Sequence, residues 1–177
     1  MIPLRATNYK MADSWPPSII IHHTACRIKA TEVAMNKATF QTHKYHILNY
    51  KLRERKETGF NFIIDRFKND YQAVVSQPLM TLCKYEDLDE RYWKAIHVGL
   101  MGNYDEDIPM NRMYKVLAYR VLAPVMRLFM LKEEDIIFHS TISHDDTITC
   151  PGEFMDMSKI IMSLRSVLRR RAVARRK

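Results

Sequence analysis

Three places in the chain carry side chains that hold a borderline-soft metal. His22 and His23 close a β-branched run that begins at Ser18, His139 closes a shorter apolar run from Ile136 to Phe138, and Cys150 stands directly before Pro151-Gly152. Two imidazoles and one thiolate suit zinc, and three protein ligands leave a fourth position open for water, the arrangement of a catalytic rather than a structural ion. His22 and His23 are neighbours on one strand, so their side chains leave opposite faces of a sheet and only one of them reaches a shared ion. A single histidine or cysteine beside an apolar strand is most often a packed core residue, so the metal reading rests on the three positions together.

These residues need rigid strand ends and loops to meet. Ser18 to His23 follows the Pro16-Pro17 breaker and reads as a buried strand. Asn61 to Arg66 and Tyr71 to Val75 flank a polar Lys68-Asn69-Asp70 turn, the pattern of a hairpin, and Ile96 to Met101 is a further strand. Thr31 to Lys56, free of Gly and Pro and stopped by Gly59, predicts one or two helices. Pro109 opens a helical stretch over Met110 to Leu131, which Pro124 is expected to kink or split. Ile136 to Phe138 is the last strand, and Ile160, Ile161, Leu164, Val167 and Leu168 recur at helical spacing. Strands alternating with helices predict an α/β fold, a central mixed β-sheet flanked by helices.

Five segments then fall in a telling order: IIIHHTA at Ile19 to Ala25, GFNFIID at Gly59 to Asp65, AIHVGLMGNY at Ala95 to Tyr104, IIFH at Ile136 to His139, and CPG at Cys150 to Gly152. In this order and spacing the chain resembles the zinc-dependent N-acetylmuramoyl-L-alanine amidases, the group that includes phage endolysins and peptidoglycan recognition proteins. The resemblance implies an amidase-like single domain with Zn2+ held by His22, His139 and Cys150, His23 facing away. It also implies metal-assisted hydrolysis, by a zinc-bound water, of the amide joining the lactyl group of N-acetylmuramic acid to L-alanine in bacterial peptidoglycan.

The chain departs from the family pattern at two positions and in a His-to-Cys loop, Ser140 to Thr149, that is longer than is usual. Phe60-Asn61-Phe62 stands where the family commonly has Tyr-His-Phe, so a hydroxyl placed to assist catalysis is missing, and Ile148 stands where a Lys or Thr usually steadies the oxyanion. Phe60 and Asn61 are expected to contact substrate. Thr147 and Thr149 flank Ile148 and are expected near the chemistry. The long loop between His139 and Cys150 also offers His144 as a replacement proton donor, and Asp145 and Asp146 as carboxylates able to orient an imidazole ligand. His43, His46 and His97 are read as structural or surface residues.

With 177 residues, 47% hydrophobic and 27% charged, the chain suits one packed domain, expected over residues 1–168. Six charges of the formal +8 come from Arg169, Arg170, Arg171, Arg175, Arg176 and Lys177, which leaves +2 for the rest. That basic tail over residues 169–177 suits anionic envelope polymers, whereas nucleic acid is not expected without interleaved aromatic residues for stacking. Cys26, Cys83 and Cys150 are too few and odd in number for a disulfide framework. No apolar run suffices for a membrane span and no secretory signal is recognisable. A host-cytoplasmic protein that acts on the cell wall after release is therefore expected, or else a virion-associated one. The alternatives are a non-catalytic peptidoglycan-binding protein of the same fold, and a structural virion or regulatory protein whose zinc is closed off by a fourth ligand such as His144.

Overall fold

The computed structural model of the chain describes residues 14–25, 59–67 and 70–174. The helices expected between Thr31 and Lys56, together with Cys26, His43, His46, the Lys68-Asn69 turn and the tail residues Arg175, Arg176 and Lys177, lie outside the described residues.

Among the described residues five strands form one mixed sheet: β1 (Ile19–His23), β2 (Phe62–Phe67), β3 (Asp70–Val75), β4 (Ile96–Leu100) and β5 (Ile136–Phe138), in the order β3-β2-β4-β1-β5. β1 runs parallel to both neighbours, β4 and β5, and β2 runs parallel to β4, while β2 and β3 form the expected antiparallel hairpin. A strand enclosed by two neighbours and covered on both faces has no solvated side, which is why β1 reads as an unbroken apolar run: Ile19, Ile20 and Ile21 are fully buried.

Alternation along the strands divides the core. Ile19, Ile21, Ile96, Val98 and Leu100 face one layer with Met113, Leu117, Val121, Ile160 and Leu164. Ile20 faces the other side with Phe60, Ile63, Cys83, Tyr85 and Met101. His22, two residues beyond Ile20, belongs by the same alternation to this second face. Its register partner on β4 is Gly99, and the ring of Phe60 lies over that glycine, where a Cβ would stand 2.8 Å from Phe60 Cδ2.

The helical layer differs in detail from expectation. Pro109 lies ahead of the first helix, α1 (Asn111–Val116), whose N-cap is Met110. The run then continues through a π turn (Leu117–Leu122) into α2 (Ala123–Phe129). Pro124 does not split it. Proline has no N–H to give and its ring crowds the carbonyl four residues back; the wider hydrogen bonding just before it, as in Ala123 N to Ala118 O, accommodates both defects. The run ends where Met130 takes a left-handed φ of 57°. A short α3 (His139–Ile142) follows β5 directly.

The last helix, α4 (Met157–Ala174), starts after Asp156, whose Oδ1 accepts from the Ser158 and Lys159 backbone amides. It buries Ile160 and Leu164 and continues without a break past residue 168. No helix among the described residues is long and apolar enough to cross a membrane.

Gly99→Ala should destabilise the fold by about 1–3 kcal/mol, the usual cost of forcing extra volume into a filled core. Urea unfolding measures this; a variant as stable as the parent would mean that the Phe60 ring is free to move aside.

Candidate metal centre

The sheet and its C-terminal loops bring His22, His139 and Cys150 together, with one ligand atom from each lying within 4.8 Å of the others. His22 comes from β1, His139 from the junction of β5 and α3, and Cys150 from the loop that follows. His22 Nδ1 is 3.8 Å from Cys150 Sγ, and the His22 and His139 ring centroids are 4.5 Å apart. His23 turns the other way: its Nδ1 accepts from the Tyr104 amide at 3.3 Å and its Nε2 faces Asp105 Oδ2 at 3.8 Å.

Each of the three side chains has a polar neighbour close by. The His22 Nε2 lies 2.9 Å from His97 Nδ1, and His97 Nε2 lies 2.8 Å from the Tyr92 carbonyl. His139 Nε2 is 2.7 Å from Asp87 Oδ2, which sits off the direction of that N–H. Asp87 is itself fixed, because Ser143 Oγ donates to its carboxylate and the His144 amide to its carbonyl, both at 2.8 Å. The Cys150 sulfur accepts from the His23 backbone amide at 3.4 Å. Tyr85 stacks over His22 and His97 with centroids 4.8 and 4.9 Å away.

The cysteine is held by a crowded turn. Gly152 has φ of 108°, and a Cβ on it would lie 2.4 Å from the Tyr104 carbonyl carbon, so only glycine passes there. Asp105 reinforces the same contact by accepting from Thr149 Oγ1 and the Glu153 amide, both at 3.0 Å.

Other expected residues fall elsewhere. His144 is exposed at the rim and pairs with Asp89 Oδ1 at 3.1 Å. Thr147 donates its amide and hydroxyl to Asp145, closing a turn, and Thr149 is engaged with Asp105. Phe60 and Asn61 do not reach a surface where substrate would sit. Phe60 fills the space left by Gly99, and the fully buried Asn61 donates to Pro78 O and accepts from the His97 amide, so both support the site from behind. His97, expected to be structural or superficial, is fully buried and bonded to His22.

The sequence reading also missed Tyr85 and Asp87, which lie in a stretch between β3 and β4 without strand or helical periodicity. For His97 a signal existed. It alternates with Ile96 and Val98 and therefore had to face the same side as Gly99.

No protein-family model matches the sequence, and no curated protein does. Solved structures match at the level of the fold. The N-acetylmuramoyl-L-alanine amidase LysC from Clostridium intestinale URNW superposes with a TM-score of 0.61 at 18% identity, covering 90% of this chain and 95% of its own. The Ph2119 endolysin of a Thermus scotoductus bacteriophage gives 0.61 at 15% identity, covering 88% and 89%. The chain has the amidase and peptidoglycan-recognition fold. A variant of Drosophila PGRP-LB in complex with tracheal cytotoxin shares that fold, with a TM-score of 0.61 at 16% identity, covering 84% of this chain and 82% of its own.

On this amidase fold the donor set fits a zinc ion. Bond lengths of about 2.1 Å to nitrogen and about 2.3 Å to sulfur place tetrahedral ligands roughly 3.3–3.8 Å apart, so donor atoms within 4.8 Å need only a small contraction. Burial holds His22 well below the usual histidine range, helped by His97, His139 and His23, and burial likewise lowers His139 against the opposing pull of Asp87. Neutral imidazoles are the form that ligates. The Cys150 thiol is pushed up to about 12 by burial, against the His23 amide, so a divalent ion bound there would have to expel its proton, and its uptake would weaken as the pH falls.

The depressed histidines also give the metal-free protein a defined pH dependence. Unfolded histidines take up protons below about 6.5, whereas the folded ones resist, His97 down to about 4. Stability is therefore full above the unfolded value and declines as the pH falls from about 6.5 towards 5, ahead of most carboxylate titration. Melting temperatures in the presence of a chelator should drop across that window; a flat profile would show that the rings are not buried in neutral form.

Proposed function

We propose that the chain is a zinc-dependent N-acetylmuramoyl-L-alanine amidase of bacterial peptidoglycan, working as a phage lytic enzyme. The observation that carries the reading is the convergence of His22, His139 and Cys150 at one end of a sheet of the amidase fold. The similarity to a bacteriophage endolysin favours the lytic setting. A zinc held by these three residues supplies Lewis-acid polarisation of the scissile amide and activation of water.

The rest is done by this chain's own groups. His97 and the His23 amide fix the directions of His22 and Cys150, and Asp87 lies beside His139, so the open side of the group is set before substrate arrives. Tyr85 covers the histidine rings and excludes water from behind them. His144, on the rim and turned towards Asp89, is the proposed donor of the proton that the leaving L-alanine amine requires. Thr147 and Thr149 keep the loop that carries it in one conformation.

A second reading, a protein that grips muropeptide without cutting it, is favoured by one feature, the phenyl ring of Phe60 where the family has a hydroxyl. The closed structural zinc has less support, since the three-residue ligand group does not include His144.

Purified peptidoglycan should release new L-alanine amino groups on incubation with the zinc-loaded protein. Release should stop with a chelator, stop with Cys150→Ser, and fall by about 10²–10⁴-fold with His144→Ala, the usual range for a lost acid-base group. A fully zinc-loaded protein that binds peptidoglycan but releases nothing would establish the second reading instead.

The basic end of α4 is the proposed attachment to anionic envelope polymers. Arg169 and Arg170 are exposed there, and Arg170 lines a groove with Lys115, Arg120 and Tyr119. Retention on whole cell walls should weaken steeply with salt and drop when Arg169 and Arg170 are replaced by Ser, with amidase activity on soluble fragments unchanged. Salt-insensitive retention would rule this attachment out.

A further inference from the structure

The fully buried His97 lies outside the three-ligand group, yet it is the residue to which one ligand ring is hydrogen-bonded. The bonding runs in one direction only. The Tyr92 carbonyl can accept but not donate, so the nitrogen 2.8 Å from it, His97 Nε2, carries a hydrogen. The same carbonyl accepts the Ala95 amide at 3.0 Å, which uses its second lone pair and anchors it at the end of the turn Glu90–Lys94. A neutral imidazole has one N–H, so His97 Nδ1 is left with a lone pair. Full burial disfavours a second proton and the charge that it brings. His22 Nε2, 2.9 Å from this lone pair, must then be the donor, and His22 Nδ1 is left unprotonated on the side of Cys150 Sγ.

We propose that His97 is a positioning residue that sets the tautomer of His22, and thereby presents His22 Nδ1 to the metal, through the chain Tyr92 carbonyl, His97, His22. The inference rests on the metal reading of the site given above.

The surroundings are built to hold His97 in that position. The His97 amide donates to Asn61 Oδ1 and its carbonyl accepts from the Asn61 amide, both at 2.8 Å, so Asn61 grips the residue from both backbone sides. Asn61 is in turn tied to Pro78 O at 2.8 Å, and Tyr85 stacks on the His97 ring at an interplanar angle of 18°. Both ring nitrogens of this fully buried histidine are thus paired, and the pairing fixes which of them carries the hydrogen.

The direct test is long-range proton–nitrogen correlation of the ring nitrogens in the metal-free wild-type protein. His22 and His97 should both show an Nε2–H tautomer with an unprotonated Nδ1. His22 protonated on Nδ1 would overturn the proposal with no variant needed.

Two substitutions then separate position from packing. Asparagine places an acceptor where His97 Nδ1 stood, so His97→Asn should keep the His22 tautomer and bind zinc within a few-fold of wild type in chelator competition. His97→Phe keeps the ring volume but removes the acceptor. It should scramble the tautomer, weaken zinc by about 10–100-fold, as losses of outer-shell partners do, and alter the visible spectrum of the cobalt-substituted site. A folded His97→Phe protein with wild-type zinc affinity and the wild-type tautomer would refute the role. A wild-type protein that takes up no zinc would instead defeat the metal reading, while the tautomer spectrum reports on His97 alone.

Discussion

The parallel ladder between β1 and β4 governs the site, because a strand's side chains alternate with a period of two and a pairing register cannot slip without turning every residue over. With Ile20 opposite His97 and His22 opposite Gly99, the two histidines leave the same face one step apart along the sheet, close enough for a ring-to-ring hydrogen bond. The same register directs His23 to the far face, where it meets Tyr104 and Asp105, and brings its backbone amide to the Cys150 sulfur. Displacing β1 by one residue would put either His23 or Ile21 where His22 stands, opposite Gly99. The full burial of the three isoleucines on both faces makes such a slip costly.

The second half of the site is built differently, from loops stiffened by local polar contacts. Cys150 follows a turn closed by Asp145 and precedes one that presses Gly152 against Tyr104. Asp105 ties this turn back to the end of β4 through Thr149 and Glu153. His139 comes from the sheet but is met by a loop carboxylate, Asp87, which the end of α3 holds in place. A rigid strand end thus supplies one candidate ligand and a braced loop another, and the two are joined at the His23 amide.

What could be read from the sequence follows this division. The β-branched run before His22, the hairpin around residues 62–75 and the apolar spacing of Ile160 and Leu164 announce their elements, because burial imposes a period. The grouping of His22, His139 and Cys150 was legible through the order of motifs, since residues more than a hundred positions apart carry no local sign that they meet. Tyr85 and Asp87 were not legible, because the segment between β3 and β4 has no repeating pattern and its contacts are fixed only by tertiary packing. Phe60 and Asn61 drew notice for their place in a motif, but burial decides what they do: one fills the gap above a glycine and the other grips a neighbouring strand. At Pro124 only the split failed to appear, since a π turn gives a helix a way past proline that composition does not reveal.

The setting of Cys150 also governs how the protein ages. A thiol attacks oxidants and electrophiles as the thiolate, and one kept in its protonated form reacts slowly. With its sulfur largely enclosed and its proton retained through burial, Cys150 is a poor target for sulfenic acid formation and alkylation. The burial that would couple metal loading to the loss of a proton therefore also slows the oxidative ageing of this sulfur in the metal-free protein.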